Sequence, residues 1–197
     1  MSIKIDFKSF LQKGVPTIDD DFFIRLITGY QGSGKSYLSI KLAHEQENNK
    51  RIIKTNIKSY CDDTKRIIYF DNIDEVLNDT DDYVTYIIDE LSKKYTKDSK
   101  QDLKFYSWLQ QSRKHKRHVY LITQEYIQVP TWLRGIATQV YTTSKVRFLP
   151  IYKTTFGYPV LTTDTFEWSL QEVFTYYYKR TKNIAKLYDT FESINTL

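Results

Sequence analysis

The chain has 197 residues, 41% hydrophobic and 27% charged, with a formal net charge of +5. This length and composition suit one globular domain that hides about 70% of its unfolded surface, and the positive balance weakly favours a polyanionic partner. A single cysteine, Cys61, excludes an internal disulfide framework and a zinc cluster and fits a reducing setting, while no stretch approaches the roughly 18 apolar residues of a membrane span.

The opening "MSIKIDFKSF" lacks the apolar region of a signal peptide. "FFIRLIT" (22–28) reads as a strand, followed by "GYQGSGKS" (29–36) and a helical stretch over 35–48. "RIIKTN" (51–56) and "RIIYF" (66–70) read as strands, 72–77 as a helix, and "DEVLNDTDD" (74–82) as a solvated acidic turn. "YVTYIID" (83–89) and "HVYLITQ" (118–124) are two more strands, separated by a helical candidate at 102–114. Beyond Pro130 come strand-like runs broken by Pro and Gly, without clear helices between them. Strands alternating with helices imply βαβ units. The expected fold is α/β, a mainly parallel sheet flanked by helices. It forms a single domain over 1–197, with its core at about 20–145 and an antiparallel edge or small β-rich appendage at about 146–197. The abundance of aromatics, with 17 Tyr and 11 Phe, reads first as an aromatic core.

"GYQGSGKS" fits the phosphate-loop pattern, with Gly29, Gly34, Lys35 and Ser36 in its fixed positions. Glycines let the backbone wrap tightly, so that N–H groups across Gly29, Gln31, Gly32, Ser33 and Gly34 turn inward on phosphate oxygens. The following helix adds its positive end, bringing Tyr37 into the nucleotide-binding set. Lys35 is expected on the β- and γ-phosphates of ATP and Ser36 on Mg²⁺. Leu38, Ile40 and Leu42 read as packing.

The strand at 83–89 ends in Asp89-Glu90, where ligands bind in parallel sheets. Asp89 is the expected partner of Mg²⁺ and Glu90 the base that polarises an attacking water. The pair also reads as caps of the next helix. The strand at 118–124 ends in Gln124, a residue type that can orient the water or sense the γ-phosphate.

With these residues placed, a family resemblance emerges. "SRKHKRHVYLITQEYIQVPTWLRG" (112–135) resembles the segment after the acidic strand in viral ATPases of the FtsK/HerA superfamily. Arg113, Gln124 and Arg134 take the places of that pattern's Arg, Gln and second Arg. "ITGYQGSGKSYLSIKLA" (27–43), "KTNI" (54–57) and "AKLYDTFE" (185–192) look more like the Zot-domain branch, which includes filamentous-phage assembly ATPases. The 130–134 spacing is also similar to viral genome-packaging ATPases. The resemblance implies a RecA-like P-loop NTPase core that uses ATP to move viral DNA. It further implies a homo-oligomeric ring, expected to be a hexamer, virion or capsid proteins as partners, and the host cytoplasm or virion as location. It also implies an arginine near a neighbour's γ-phosphate, first Arg134 and second Arg113; each reads equally as an ordinary surface arginine. Two departures stand against it. Zot-type assembly proteins usually carry a membrane span after the ATPase domain, and "LSKKYTKDSK" (91–100) is basic and polar where relatives continue with alanine and aromatics.

Lys93, Lys94, Lys97, Lys100 and Lys104 precede the 102–114 helix; Lys114, Lys116, Arg117 and His118 follow it. The cluster reads as a solvated face or as DNA-phosphate contacts, with Arg117 as a DNA or solvent contact and Tyr95, Phe105 and Tyr106 as stacking partners for bases. A small-molecule kinase and a non-hydrolysing assembly switch remain as other readings of the same loop.

Overall fold

The apolar runs become strands covered on both faces. All six residues of β1 (Phe23–Thr28) are buried, as are all five of β4 (Val84–Ile88) and of β5 (His118–Ile122). Such continuous burial belongs to parallel strands with layers on either side. β2 (Ile52–Thr55), β3 (Ile67–Tyr69) and β6 (Gln139–Lys145) join them in parallel register. β7 (Ile151–Thr162) and β8 (Glu167–Lys179) follow as an antiparallel hairpin. In this computed structural model, which describes residues 22–46, 51–147, 149, 151–163 and 167–187, the eight strands form one sheet in the order β3-β2-β4-β5-β1-β6-β7-β8. The C-terminal β-rich segment extends the same sheet as its antiparallel edge.

Helix α1 (Lys35–Gln46) covers one face, where Leu38, Ile40 and Leu42 are fully buried against Phe23, Ile27 and Tyr120. Each such side chain stabilises by about 1.5–3 kcal/mol. Helices α2 (Leu103–Gln110) and α3 (Thr131–Ile136) cover the other face, with Trp108, Leu109 and Leu133 against Leu26, Ile88 and Leu121. Asp102 caps α2, its carboxylate accepting from the N–H groups of Lys104 and Phe105, both at 3.1 Å. A short α4 (Lys182–Lys186) follows β8.

Several expectations shift. The stretch at 72–77 forms only a 3₁₀ turn, Ile73–Glu75, and α2 ends at Gln110 instead of 114. Helix α3 went unread because six residues show little periodicity and one is Gly135, a poor helix former. That glycine makes room for Trp168 of β8, whose indole nitrogen lies 2.8 Å from where a Cβ would stand. The readings for 1–21, 47–48 and 188–197 lie outside the described residues.

The acidic turn at 74–82 is anchored, not merely solvated. Asp79 accepts from the Lys54 ammonium and from the Tyr86 hydroxyl at 2.8 Å. Burial pushes the Asp79 carboxyl up, but hydrogen bonds from Lys54, the Asp81 N–H and Tyr86 outweigh it and hold the carboxyl below its usual range. Arg117, expected at a DNA or solvent contact, is fully buried. Its guanidinium donates to the carbonyls of Asp79 at 2.5 Å and Asp81 at 3.4 Å and lies 5.1 Å from the Trp108 ring centre. Charge-assisted bonds to buried carbonyls are worth about 1.5–3 kcal/mol each. Arg117→Ala is therefore expected to destabilise by about 3 kcal/mol, lowering the melting temperature by about 6–12 °C. An unchanged thermal melt would contradict this structural role.

Candidate nucleotide-phosphate site

The loop between β1 and α1 depends on glycine. Gly29, Gly32 and Gly34 have φ of +147°, +74° and +89°. A Cβ on Gly29 would stand 2.2 Å from the Thr143 carbonyl oxygen, and one on Gly34 would stand 2.6 Å from the Tyr152 ring. Strands on both sides brace the turn. The Gly29 N–H donates to the Gln124 carbonyl at 2.7 Å, and the Thr143 hydroxyl donates to the Ser33 carbonyl at 3.1 Å. Helix α1 starts at Lys35. Its first N–H groups have no intrahelical acceptor, and its positive end meets the loop. The Ser33 hydroxyl is buried beside Gly29 with no hydrogen-bond partner among the described residues.

Lys35 folds back onto the loop, its ammonium donating to the carbonyls of Gly29 at 2.8 Å and Tyr30 at 3.0 Å. Burial lowers its pKa and nearby Asp89 partly restores it. The Ser36 hydroxyl donates to Asp89 Oδ2 at 2.6 Å, while Asp89 Oδ1 accepts from the Glu90 N–H at 2.7 Å. Thus two residues 53 positions apart meet where the sequence placed a metal. Burial pushes the Asp89 carboxyl above its usual range, against the pull of the Ser36 and Glu90 hydrogen bonds. A dication beside it would favour the charged form. A hydroxyl and a carboxylate are hard oxygen donors that suit Mg²⁺, which typically takes one or two protein ligands and completes its shell with phosphate oxygens and water. The described residues contain no group of three or more His, Cys, Asp or Glu able to hold a metal by themselves.

Asn56 escaped the sequence reading as a site residue. Its side chain clamps the Asp89 main chain, donating to the carbonyl at 2.9 Å and accepting from the N–H at 2.7 Å. A polar residue ending the neighbouring strand was the available signal.

Glu90 has left-handed backbone, φ 56° and ψ 39°, and its exposed carboxylate pairs with Lys93. This pairing raises the Lys93 pKa. Gln124 lies two residues past β5, the strand between β4 and β1; it is exposed, and its carbonyl accepts from the Gly29 N–H of the loop. Gln31 and Gly32 form the exposed outer turn. The Tyr37 ring is 3% exposed and packs into the core, so only its main chain is available to phosphate.

The two candidate arginines do not join this cluster. Arg134 is buried and donates to the Trp168 carbonyl at 2.8 Å and to the Thr131 hydroxyl at 3.3 Å. Trp168 lies near the start of β8, which runs parallel to β1, and so at the end of the sheet opposite the loop. Arg113 is exposed at that same end, 5.5 Å from the ring centre of Phe22, which precedes β1. The basic cluster divides likewise. Lys93, Lys94, Lys97, Lys100 and Lys104 follow the C-terminal end of β4, on the loop's side, whereas Lys114 and Lys116 precede β5 at the other end. Lys94 pairs with Asp74. Tyr95 and Phe105, read as base-stacking candidates, are instead buried and stacked on each other at 5.3 Å; the Tyr95 hydroxyl donates to Asp102. Tyr106 is half-buried against Trp132.

Among solved structures, the N-terminal domain of zonular occludens toxin from Neisseria meningitidis is similar in fold. It superposes with a TM-score of 0.61 at 16% identity, over 85% of this chain and 98% of that one. The genome packaging NTPase B204 from Sulfolobus turreted icosahedral virus 2, in complex with ATP-gammaS, gives 0.54 at 13% identity over 77% and 97%. The RadB recombinase gives 0.54 at 13% identity over 81% and 87%. These neighbours place the fold among RecA-like P-loop NTPases. No curated protein matches the chain. A family model for zonular occludens toxin (Zot) matches residues 23–193, spanning the phosphate loop, the Ser36–Asp89 contact and the terminal hairpin alike, and the chain belongs to the Zot family.

Proposed function

We propose that this chain is a viral P-loop ATPase of the FtsK/HerA type that hydrolyses ATP to translocate DNA during genome packaging or virion assembly. The observation that carries the reading is the Ser36–Asp89 contact at 2.6 Å, with Glu90 next in sequence and Gln124 beside the loop. Ser36 and Asp89 would hold Mg²⁺, which supplies charge neutralisation at the β- and γ-phosphates. Lys35 would turn from its own loop carbonyls to the phosphates, Glu90 would accept the proton of an attacking water, and Gln124 would orient that water. Support from outside the chain comes from B204, a genome packaging NTPase of similar fold whose structure holds an ATP analogue.

In this proposal the working unit is a homo-oligomeric ring, expected to be a hexamer, that meets virion or capsid proteins in the host cytoplasm or virion. Arg134 is built into its own chain, which leaves exposed Arg113 as the better candidate for a neighbour's γ-phosphate. The lysines at 93–104 are the candidate DNA contacts, since they share the nucleotide end of the sheet. The Zot family match favours a second reading, an ATPase of filamentous-phage assembly and secretion at a membrane. No helix among the described residues is long and apolar enough to cross one.

The test is ATPase rate against protein concentration, with and without single- and double-stranded DNA. The motor reading expects Mg²⁺-dependent turnover that rises more than linearly with concentration, is stimulated by DNA and loses the stimulation as salt screens phosphate contacts. Full activity in a dilute monomer, indifferent to DNA, would remove it. Transfer of the γ-phosphate to a metabolite would favour the kinase reading, and nucleotide binding without turnover the switch.

A further inference from the structure

A nucleotide held in this loop has a direction. Its metal end would be set by Asp89, just past β4, the strand two places from β1 on one side. With the metal on that side, the nucleoside end would leave toward the other, where β6, β7 and β8 lie. An aromatic and basic cluster stands there that the phosphate chemistry does not use. Tyr152 of β7 rests on Gly34, and its ring packs 5.9 Å from that of Tyr37 and 5.6 Å from that of Tyr178. Tyr37 and Tyr178 are buried and form a wall, while Tyr152 is half-buried. Arg180, just past β8, is exposed and holds its guanidinium carbon 6.0 Å from the Tyr37 ring centre. The next residue is pinned to the same wall, its Thr181 N–H donating to the Tyr37 hydroxyl at 2.9 Å. The geometry thus offers a flat aromatic surface and a planar cation beside the last glycine of the phosphate loop.

We propose that Tyr152 and Arg180 form the nucleobase platform of this site, Tyr152 by stacking and Arg180 by its guanidinium over the π-system. The inference rests on the nucleotide reading of the loop and adds to it the residues that hold the base. Every base has a π-face, so stacking tolerates base identity. Stacking reads the face of a base, whereas base-edge hydrogen bonds are what select one purine over another. ATP and GTP are therefore expected to bind within a few-fold of each other.

Calorimetric titration of the full chain with Mg²⁺-bound ATP and with Mg²⁺-bound tripolyphosphate separates the base from the phosphates. Arg180→Ala, at an exposed position, and Tyr152→Leu are each expected to weaken ATP about tenfold and to leave tripolyphosphate unchanged, while Tyr152→Phe keeps wild-type affinity. Equal losses for both ligands would assign these residues to the phosphates and overturn the proposal, as would unchanged ATP affinity in Arg180→Ala. Arg180→Ala decides the matter if Tyr152→Leu fails to fold. A wild-type chain that binds neither ligand would instead remove the nucleotide site itself.

Discussion

Glu90→Gln is expected to leave Mg²⁺-ATP affinity within about twofold of wild type and to cut turnover by about 10²–10⁴-fold, the usual contribution of a positioned base. The amide has the same shape as the carboxylate but cannot take the proton of water. Nothing that forms the binding site is lost. The Glu90 N–H still reaches Asp89 Oδ1, and Ser36 still reaches Oδ2. The pair with Lys93 disappears, but it is an exposed ion pair, and such pairs contribute little to stability. Equilibrium nucleotide binding and single-turnover hydrolysis, measured on the same preparation, check both halves. Undiminished turnover would take the base role from Glu90 and leave Gln124 as the water-orienting group.

The second large effect is on binding. Lys35→Ala should weaken Mg²⁺-ATP by about 100-fold, since a hydrogen bond from a cation to phosphate is worth about 1.5–3 kcal/mol and two phosphates share this donor. The ammonium's present acceptors, the carbonyls of Gly29 and Tyr30, lie within the loop itself. The fold should therefore survive the change with a nearly constant melting temperature. Titration with a fluorescent ATP analogue, alongside thermal unfolding, separates the two quantities. A dissociation constant equal to that of wild type would show that the loop does not hold phosphate through Lys35.

The phosphate loop, Asp89-Glu90 and the central strands were legible because their chemistry is local. A buried strand, a glycine turn and a lysine before a hydroxyl must be consecutive, and a carboxylate must end a strand. What the sequence concealed depends on register between distant segments. Asn56 matters because β2 lies beside β4, and Tyr152 matters because the hairpin brings it over Gly34. Arg117 stands in a run of basic residues that reads as surface. It is buried because the carbonyls of Asp79 and Asp81, 38 and 36 residues earlier, turn toward it. Tyr95 and Phe105 misled in the same way, as lysines around them mark a solvated loop while the rings themselves pack inward. The family resemblance implied a role for Arg134, but Trp168, 34 residues later, fixes where its guanidinium goes.

The left-handed backbone at Glu90 sets evolution and engineering against each other at one position. Any side chain there carries about 1 kcal/mol of steric cost that glycine would not. A laboratory campaign selecting only for heat resistance would be drawn to Glu90→Gly, and under the proposed base role of Glu90 its winners would be sturdier and inert. A chain selected for work keeps the carboxylate and tolerates the strained turn that carries it.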